Sequence, residues 1–242
     1  MSASQFKAFE KCEYAALQEI LGQYSRAEST ALLVGSYVDA FYEGTLELFV
    51  SEHPDIVKRD GTLKAEYRQA DLIIERLKAD DMFSKFMSGE KQVVMTGKIS
   101  DSPVKVKIDS FLEGRMIVDL KVMRDFKPVY VPGEGKLNFI EAWGYDIQGA
   151  IYQEIVYQNT GKRLPFYIAA ATKESATDLG IFEVPQSVLD ERLFYVEQNI
   201  DQYQLIKSGD IEPVRCEKCD CCKETKKLKS IISWEELNEY EY

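Results

Sequence analysis

The chain is short of histidine, and its positive charges are outnumbered by its negative ones. His53 is the only histidine in 242 residues, which excludes His-rich zinc catalysis. Lys and Arg number 30 against 41 Asp and Glu, a formal net charge of −11, so the chain is no generic nucleic-acid coat, which would be basic. No apolar run approaches the length of a bilayer span, and the N-terminus lacks a basic stretch followed by an apolar one; the expected location is the cytoplasm. Internal repeats and low-complexity segments are absent. With 45% apolar residues the length permits a proper core, and the expectation is one domain over residues 1–242 with a Cys-rich segment at 213–230.

The stretch that organises the rest is residues 104–122. Apolar and polar residues alternate on both sides of Glu113-Gly114-Arg115, which predicts two antiparallel strands joined at the glycine. Asp119 and Lys121 then share one face of the second strand, opposite Val118, Leu120 and Val122. The first strand carries Asp109 on the face of Lys105 and Lys107. A turn centred on Gly114 places Asp109 opposite Asp119, and two facing carboxylates repel unless a cation lies between them. Together with the Leu120 carbonyl they form a hard oxygen set suited to Mg²⁺ or Mn²⁺. Lys121 is placed to orient a water and offset developing charge. An ordinary solvated hairpin face is the alternative.

Along the chain, the patterns predict a helix over 4–21 capped by Ser4 and containing Cys12, and a second from Ser29 or Thr30. In the second, Gly35-Ser36 reads as a packing notch, and Asp39 and Glu43 fall on one face. A loop is expected over 51–62 with His53 exposed, then helices over 65–78 and 80–87 and a strand over 90–99. Pro128, Pro132, Gly133 and Gly135 mark a long loop suited to gating or clamping. A helix over 137–159 puts Gln148 and Tyr152 on one face. Strands at 164–172 and 180–184 and a helix from Pro185 to about Lys207 follow. Helices, a hairpin-led sheet, a helix and further strands make an α/β fold with a mixed central β-sheet. The end of the chain, with Lys226, Lys227, Leu228, Lys229, Trp234, Glu235 and Glu236, reads as an exposed terminal element.

Five cysteines without a secretion signal point to metal or cluster chemistry rather than disulfides. Cys216, Cys219 and Cys222 are spaced by two residues each and need a fourth ligand for a tetrahedral site or an iron-sulfur cluster. Cys221 and the distant Cys12 are the candidates. Reduced, metal-free thiols are the alternative.

Asp109, the hairpin and Asp119-Leu120-Lys121 resemble the core of the PD-(D/E)xK nucleases. Gln148-Gly-Ala-Ile-Tyr152 is similar to the Gln-x-x-x-Tyr motif of the RecB-like branch, and Leu33-Val-Gly-Ser-Tyr-Val-Asp39 to its Gly-x-x-x-His segment, with Asp39 where many members carry histidine. From Ser4 to the Cys-rich tail the chain most resembles the phage RecE-type (exonuclease VIII-like) recombination exonucleases, relatives of lambda exonuclease. The resemblance implies a restriction-endonuclease-like core and Mg²⁺ or Mn²⁺ on Asp39, Asp109, Asp119 and Leu120. Lys121 would orient the attacking water, with Gln148 and Tyr152 contacting DNA or that water. It implies 5′ to 3′ degradation of linear double-stranded DNA from its ends, leaving 3′ strands for a phage single-strand annealing protein, by a ring-like homo-oligomer. The acidic net charge is compatible with this, since bound metal and local Lys and Arg set the field at the DNA; Lys105, Lys107, Lys121, Lys127, Lys136, Arg115 and Arg124 cluster in sequence about the site. As in some RecB-like nucleases, Cys12 with Cys216, Cys219 and Cys222 would hold a [4Fe-4S] cluster, with Zn²⁺ as the competitor. An endonuclease, or a non-catalytic module binding DNA or a partner, remains the alternative.

Overall fold

The computed structural model describes residues 1–228, 230, 231, 233 and 234. Helices α1 (Ala3–Lys11), α2 (Glu13–Ile20), α3 (Thr30–Glu43), α4 (Leu46–Glu52), α5 (Arg68–Lys78) and α6 (Asp81–Phe86) precede strands β1 (Glu90–Ile99), β2 (Ser102–Leu112) and β3 (Met116–Met123). A small hairpin, β4 (Val129–Val131) and β5 (Gly135–Leu137), leads into α7 (Phe139–Ala142) and α8 (Tyr145–Thr160). Strands β6 (Phe166–Thr172) and β7 (Leu179–Glu183), then α9 (Gln186–Ser208) and α10 (Asp220–Glu224), complete the order. The main sheet runs β1-β2-β3-β6-β7, with β3 and β6 parallel and the other pairs antiparallel. It is the mixed central sheet flanked by helices that the sequence predicts.

Each face of the sheet carries its own core. Period-two alternation along β3 sends Ile117 and Met123 to one side, where Phe6 of α1, Ile151 of α8 and Val196 of α9 close over them. Val118 and Leu120 face the other way, onto Val38 of α3, Ile73 of α5 and Phe83 of α6. Burying each such side chain stabilises the fold by about 1.5–3 kcal/mol. Parallel pairing of β3 with β6 requires a crossover, and α8 supplies it across the first face.

Several local expectations change. The predicted first helix is two: Ser2, not Ser4, caps α1, and at Cys12 the backbone turns extended (φ −167°, ψ 109°). Cys12 thereby ends α1 and caps α2 through its own sulfur. The predicted helix over 137–159 begins later, because Leu137 belongs to β5 and Gly144, at φ +61°, separates α7 from α8. The long loop before it contains β4 and β5, strands too short for a periodicity to register. His53 is not an exposed loop residue: it caps α4 and packs half-buried on the Phe49 ring, centroids 4.4 Å apart. Within the terminal element, Leu228 and Trp234 are exposed, and Lys229, Glu235 and Glu236 lie outside the described residues.

Two helical glycines separate packing from propensity. A Cβ on Gly149 of α8 would stand 2.5 Å from the fully buried Phe166 ring and 3.0 Å from Leu189. At Gly35 of α3 the nearest atoms are 3.8 and 4.0 Å away, ordinary contact, so the expected notch is not sterically required. Gly149→Ala should therefore lose about 1–3 kcal/mol to overpacking. Gly35→Ala should gain about 0.5–1 kcal/mol from a stiffer unfolded chain. Urea midpoints of the two variants check the opposite signs.

Candidate active site

The site arises where the sheet forks. β1 pairs with β2, and β3 with β6, along most of their lengths, but β2 meets β3 only at Ser110↔Val118, Phe111↔Ile117 and Leu112↔Met116. The turn between them closes through Arg115 N–H to the Leu112 carbonyl, with Gly114 at φ +67°. Asp109 and Asp119 occupy the next step of that register, the opposition expected from the sequence. Beyond it the strands part, and side chains serve the backbone groups that a ladder would have paired. Asp109 Oδ2 accepts from Leu120 N–H at 2.9 Å, Lys121 Nζ donates to the Leu120 carbonyl at 3.2 Å, and the Tyr152 hydroxyl donates to the Lys107 carbonyl at 2.9 Å.

The cleft between the parted strands, about 320 Å³, is lined by Asp39, Glu43, Lys105, Lys107, Asp109, Asp119, Leu120, Lys121 and Tyr152, with Ser2 to Ser4 at its lip. Asp39 and Glu43 reach it from α3, on one side of the sheet. Asp119 is buried, and its Oδ1 accepts from Gln148 Nε2 of α8 at 2.6 Å. Its Oδ2 lies 2.5 Å from Lys121 Nζ yet accepts no properly directed hydrogen bond, so the contact is an ion pair with hydrogen-bonding capacity left over. Burial, reinforced by the Asp119 carboxylate, pushes Asp109 up to about 7. Asp39 is likewise pushed up to about 7, chiefly by burial and with Asp119 adding to it against the pull of Lys121. Burial works to lower the Lys121 ammonium, but Asp119 and Asp109 outweigh it and hold the ammonium above its ordinary range. Burial first and carboxylate crowding second thus favour the protonated acids at this site.

The donor set fits a hard divalent cation. Asp119 Oδ2 is shielded without a hydrogen bond, and the Lys121 ammonium rests between it and the Leu120 carbonyl, a positive charge standing where two oxygens converge.

Every residue predicted for this site is brought to it, though Gln148 and Tyr152 engage protein rather than open space: Gln148 holds Asp119, and Tyr152 holds the β2 backbone. Burial raises the Tyr152 hydroxyl well above the usual tyrosine range, so it stays a donor. Of the basic residues clustered in sequence, Lys105, Lys107 and Lys121 line the cleft, and Lys107 pairs with Glu43 at 3.0 Å. Sequence reasoning missed Lys7 of α1, whose Nζ donates to Gln148 Oε1 at 3.2 Å and to the Trp143 carbonyl at 3.4 Å. Burial and the nearby Lys121 lower Lys7 to about 8. Tyr145 was missed too; Lys7 and Lys121 lie 5.0 and 5.1 Å from its ring centroid. Gln92, at φ +54°, sits at the one step that the β1–β2 register omits, with its amide nitrogen 3.5 Å from Asp109 Oδ1. No local pattern marks these residues, because their partners come from remote elements. The cysteines form a separate group: the Sγ atoms of Cys12, Cys216, Cys219 and Cys222 all lie within 4.8 Å of one another, and all five cysteines are free thiols. Cys221, also buried, is outside the four.

The family model for a PDDEXK-like domain of unknown function (DUF3799) matches residues 2–225. A crystal structure described as a "putative exonuclease" from Eubacterium rectale shares 46% identity, with a TM-score of 0.92 over 98% of this chain and 92% of that one. A second structure, SSO0001, is 12% identical with a TM-score of 0.30 over 82% of this chain and 85% of its own, too distant to bear on the fold. No curated protein matches the chain. With a forked mixed sheet, two acids and a lysine at the fork, and a family match over nearly its whole length, the chain belongs to the PDDEXK-like DUF3799 family and carries the restriction-endonuclease-like fold.

Proposed function

We propose that the protein is a divalent-metal-dependent deoxyribonuclease that works as an exonuclease on the ends of linear duplex DNA. The observation that supports this most is the pair of facing acids with Lys121 held between Asp119 Oδ2 and the Leu120 carbonyl. Asp109, Asp119, the Leu120 carbonyl and Asp39 would hold Mg²⁺ or Mn²⁺, which polarises the scissile phosphate and lowers the pKa of a bound water. Each of the two facing acids is steadied through one oxygen, Asp119 by Gln148 and Asp109 by Leu120 N–H, while the second oxygen of each meets only Lys121 or, at 3.5 Å, the Gln92 amide, contacts that a cation would replace. Lys121 orients the attacking water and offsets charge on the pentacovalent phosphate. Gln148 and Tyr152 act as positioning residues, fixing Asp119 and the β2 backbone next to Asp109. Lys105 and Lys107 at the cleft, the latter paired with Glu43, are the basic side chains placed to meet a phosphate backbone against the net charge of −11. The exonuclease description of the Eubacterium rectale relative supports end-directed action. Polarity from the 5′ end, a ring-like homo-oligomer and hand-over of 3′ strands to an annealing protein follow from the RecE-type resemblance.

Digestion of end-labelled linear duplex DNA with Mg²⁺ or EDTA tests the reading. Wild type should release mononucleotides only with metal and from the 5′ end, and should leave covalently closed circles intact. Asp119→Ala and Lys121→Ala should each cut the rate about 100-fold or more with little change in fold. Absence of metal-dependent release from linear DNA would overturn the proposal, and nicking of closed circles would make the enzyme an endonuclease.

A second prediction comes from the crowded carboxylates. Asp109 is raised from 3.8 to about 7, so the stability its neutral form contributes is present below its ordinary pKa and lost as pH rises through about 7. At pH 8 without metal, Asp109→Asn should therefore melt a few degrees above wild type, the effect of about 1–2 kcal/mol in a chain this size. Added Mg²⁺ should raise the melting temperature of wild type and not of the variant. Thermal melts at pH 8 with Mg²⁺ and with EDTA measure both.

A further inference from the structure

The four clustered thiols have no part in the proposed hydrolysis, yet the chain is shaped to assemble them. Cys12 interrupts what would otherwise be one helix, without a proline or glycine at the break, and its sulfur turns toward the tail. Cys216 and Cys219 come from the segment leading into α10, and Cys222 from α10 itself. Cys12 Sγ lies 3.6 Å from Cys222 Sγ, Cys216 Sγ 3.9 Å from Cys222 Sγ, and no pair among the four exceeds 4.8 Å.

Those separations discriminate between the two candidate occupants. Four thiolates at about 2.3 Å from one tetrahedral Zn²⁺ stand about 3.8 Å from each other. In a [4Fe-4S] cluster each thiolate ligates its own iron at a different corner of the cube, which spreads the sulfurs well beyond that edge. The close spacing matches a single shared ion. Backbone N–H groups of Ala15, Cys219 and Cys222 point at Sγ of Cys12, Cys216 and Cys219, at 3.5, 3.3 and 3.5 Å, the kind of donor that favours sulfur as thiolate. Arg215 braces the group from outside: it donates to the Cys222 carbonyl at 2.6 Å and lies 4.2 Å from the Tyr14 ring centroid.

We propose that Cys12, Cys216, Cys219 and Cys222 bind one Zn²⁺ tetrahedrally, clasping the α1–α2 break to the C-terminal segment. Cys221 is buried beside the clasp and is not a ligand. The site is structural, since four protein ligands leave no open position.

The test is elemental analysis of the full chain, purified with and without oxygen and washed with excess Mg²⁺, which displaces other ions from the carboxylate cleft and does not compete for thiolates. One zinc per chain, with no iron and no acid-labile sulfide, is expected in wild type, in Asp119→Ala and in Cys221→Ser, and its loss in Cys219→Ser. Because Cys219→Ser can fail to fold, the wild type carries an independent readout. Replacement of the metal by Co²⁺ should give the visible absorption of a tetrahedral tetrathiolate, abolished by added Zn²⁺. Iron with labile sulfide in the anaerobic preparation would overturn the proposal in favour of a cluster. Folded, metal-free protein with four freely reacting thiols would overturn it outright. Zinc lost in Asp119→Ala would place the ion in the cleft and overturn it too. None of these readouts depends on nuclease activity.

Discussion

Three carboxylates around one ammonium set the terms for this fold. Asp39, Asp109 and Asp119 share a partly buried cleft with Lys121 as the central positive charge, and burial, with the neighbouring carboxylates adding to it, raises the affinity of Asp39 and Asp109 for protons. Like charges held this close separate if the scaffold allows it. Here it does not, because each acid is fixed from a different direction: Asp109 and Asp119 by two strands locked into a common register, Asp39 by a helix packed on the opposite core. The two hydrophobic layers resist the repulsion that a cation would relieve.

The fork is what makes such a cluster compatible with a buried sheet. Had β2 and β3 stayed paired, Leu120 N–H and the Leu120 and Lys107 carbonyls would be free to meet ladder partners, and no cleft would exist. Parting the strands exposes those groups, and Asp109, Lys121 and Tyr152 satisfy them in turn. Hydrogen bonds that stabilise the opening are therefore the same ones that orient the polar residues. Gln148 adds a second tier, fixed by Lys7 on one end and holding Asp119 on the other. A disturbance at α1 can thus reach the acid without touching it.

How much of this was legible in the sequence follows from the range of each interaction. Alternation on both sides of Gly114 was sufficient to predict the register that sets Asp109 against Asp119, since a two-strand turn is local. The i, i+4 spacing of Gln148 and Tyr152 was likewise local and gave them a shared face, but not its burial, because α8 is buried on almost every side from Asp146 to Val156. Lys7 escaped notice because its partner lies 141 residues away, and nothing in the pattern around it differs from an ordinary helix lysine. The breaks at Cys12 and Gly144 escaped because apolar periodicity runs through both: the first is a single extended residue and the second a glycine in the left-handed region. At Gly144 an added Cβ would stand 2.9 Å from the Lys7 side chain, so the break and the missed lysine belong to one contact.

That contact joins α1 to the chemistry of the cleft. α1 carries Lys7 beside Gln148, its first residues line the lip of the cleft, and its last turn stops at Cys12. A short helix of nine residues is marginal by itself and takes its position from what grips it. Phe6 and Phe9, both buried against Tyr203 of α9, grip its middle, and the cysteine group grips its end. Register of α1 along its axis is the quantity these anchors control: a slip of one residue would rotate Lys7 by about 100° away from Gln148. The cysteine group, though remote in sequence from the carboxylates, thus stands one helix away from the residue that steadies Asp119.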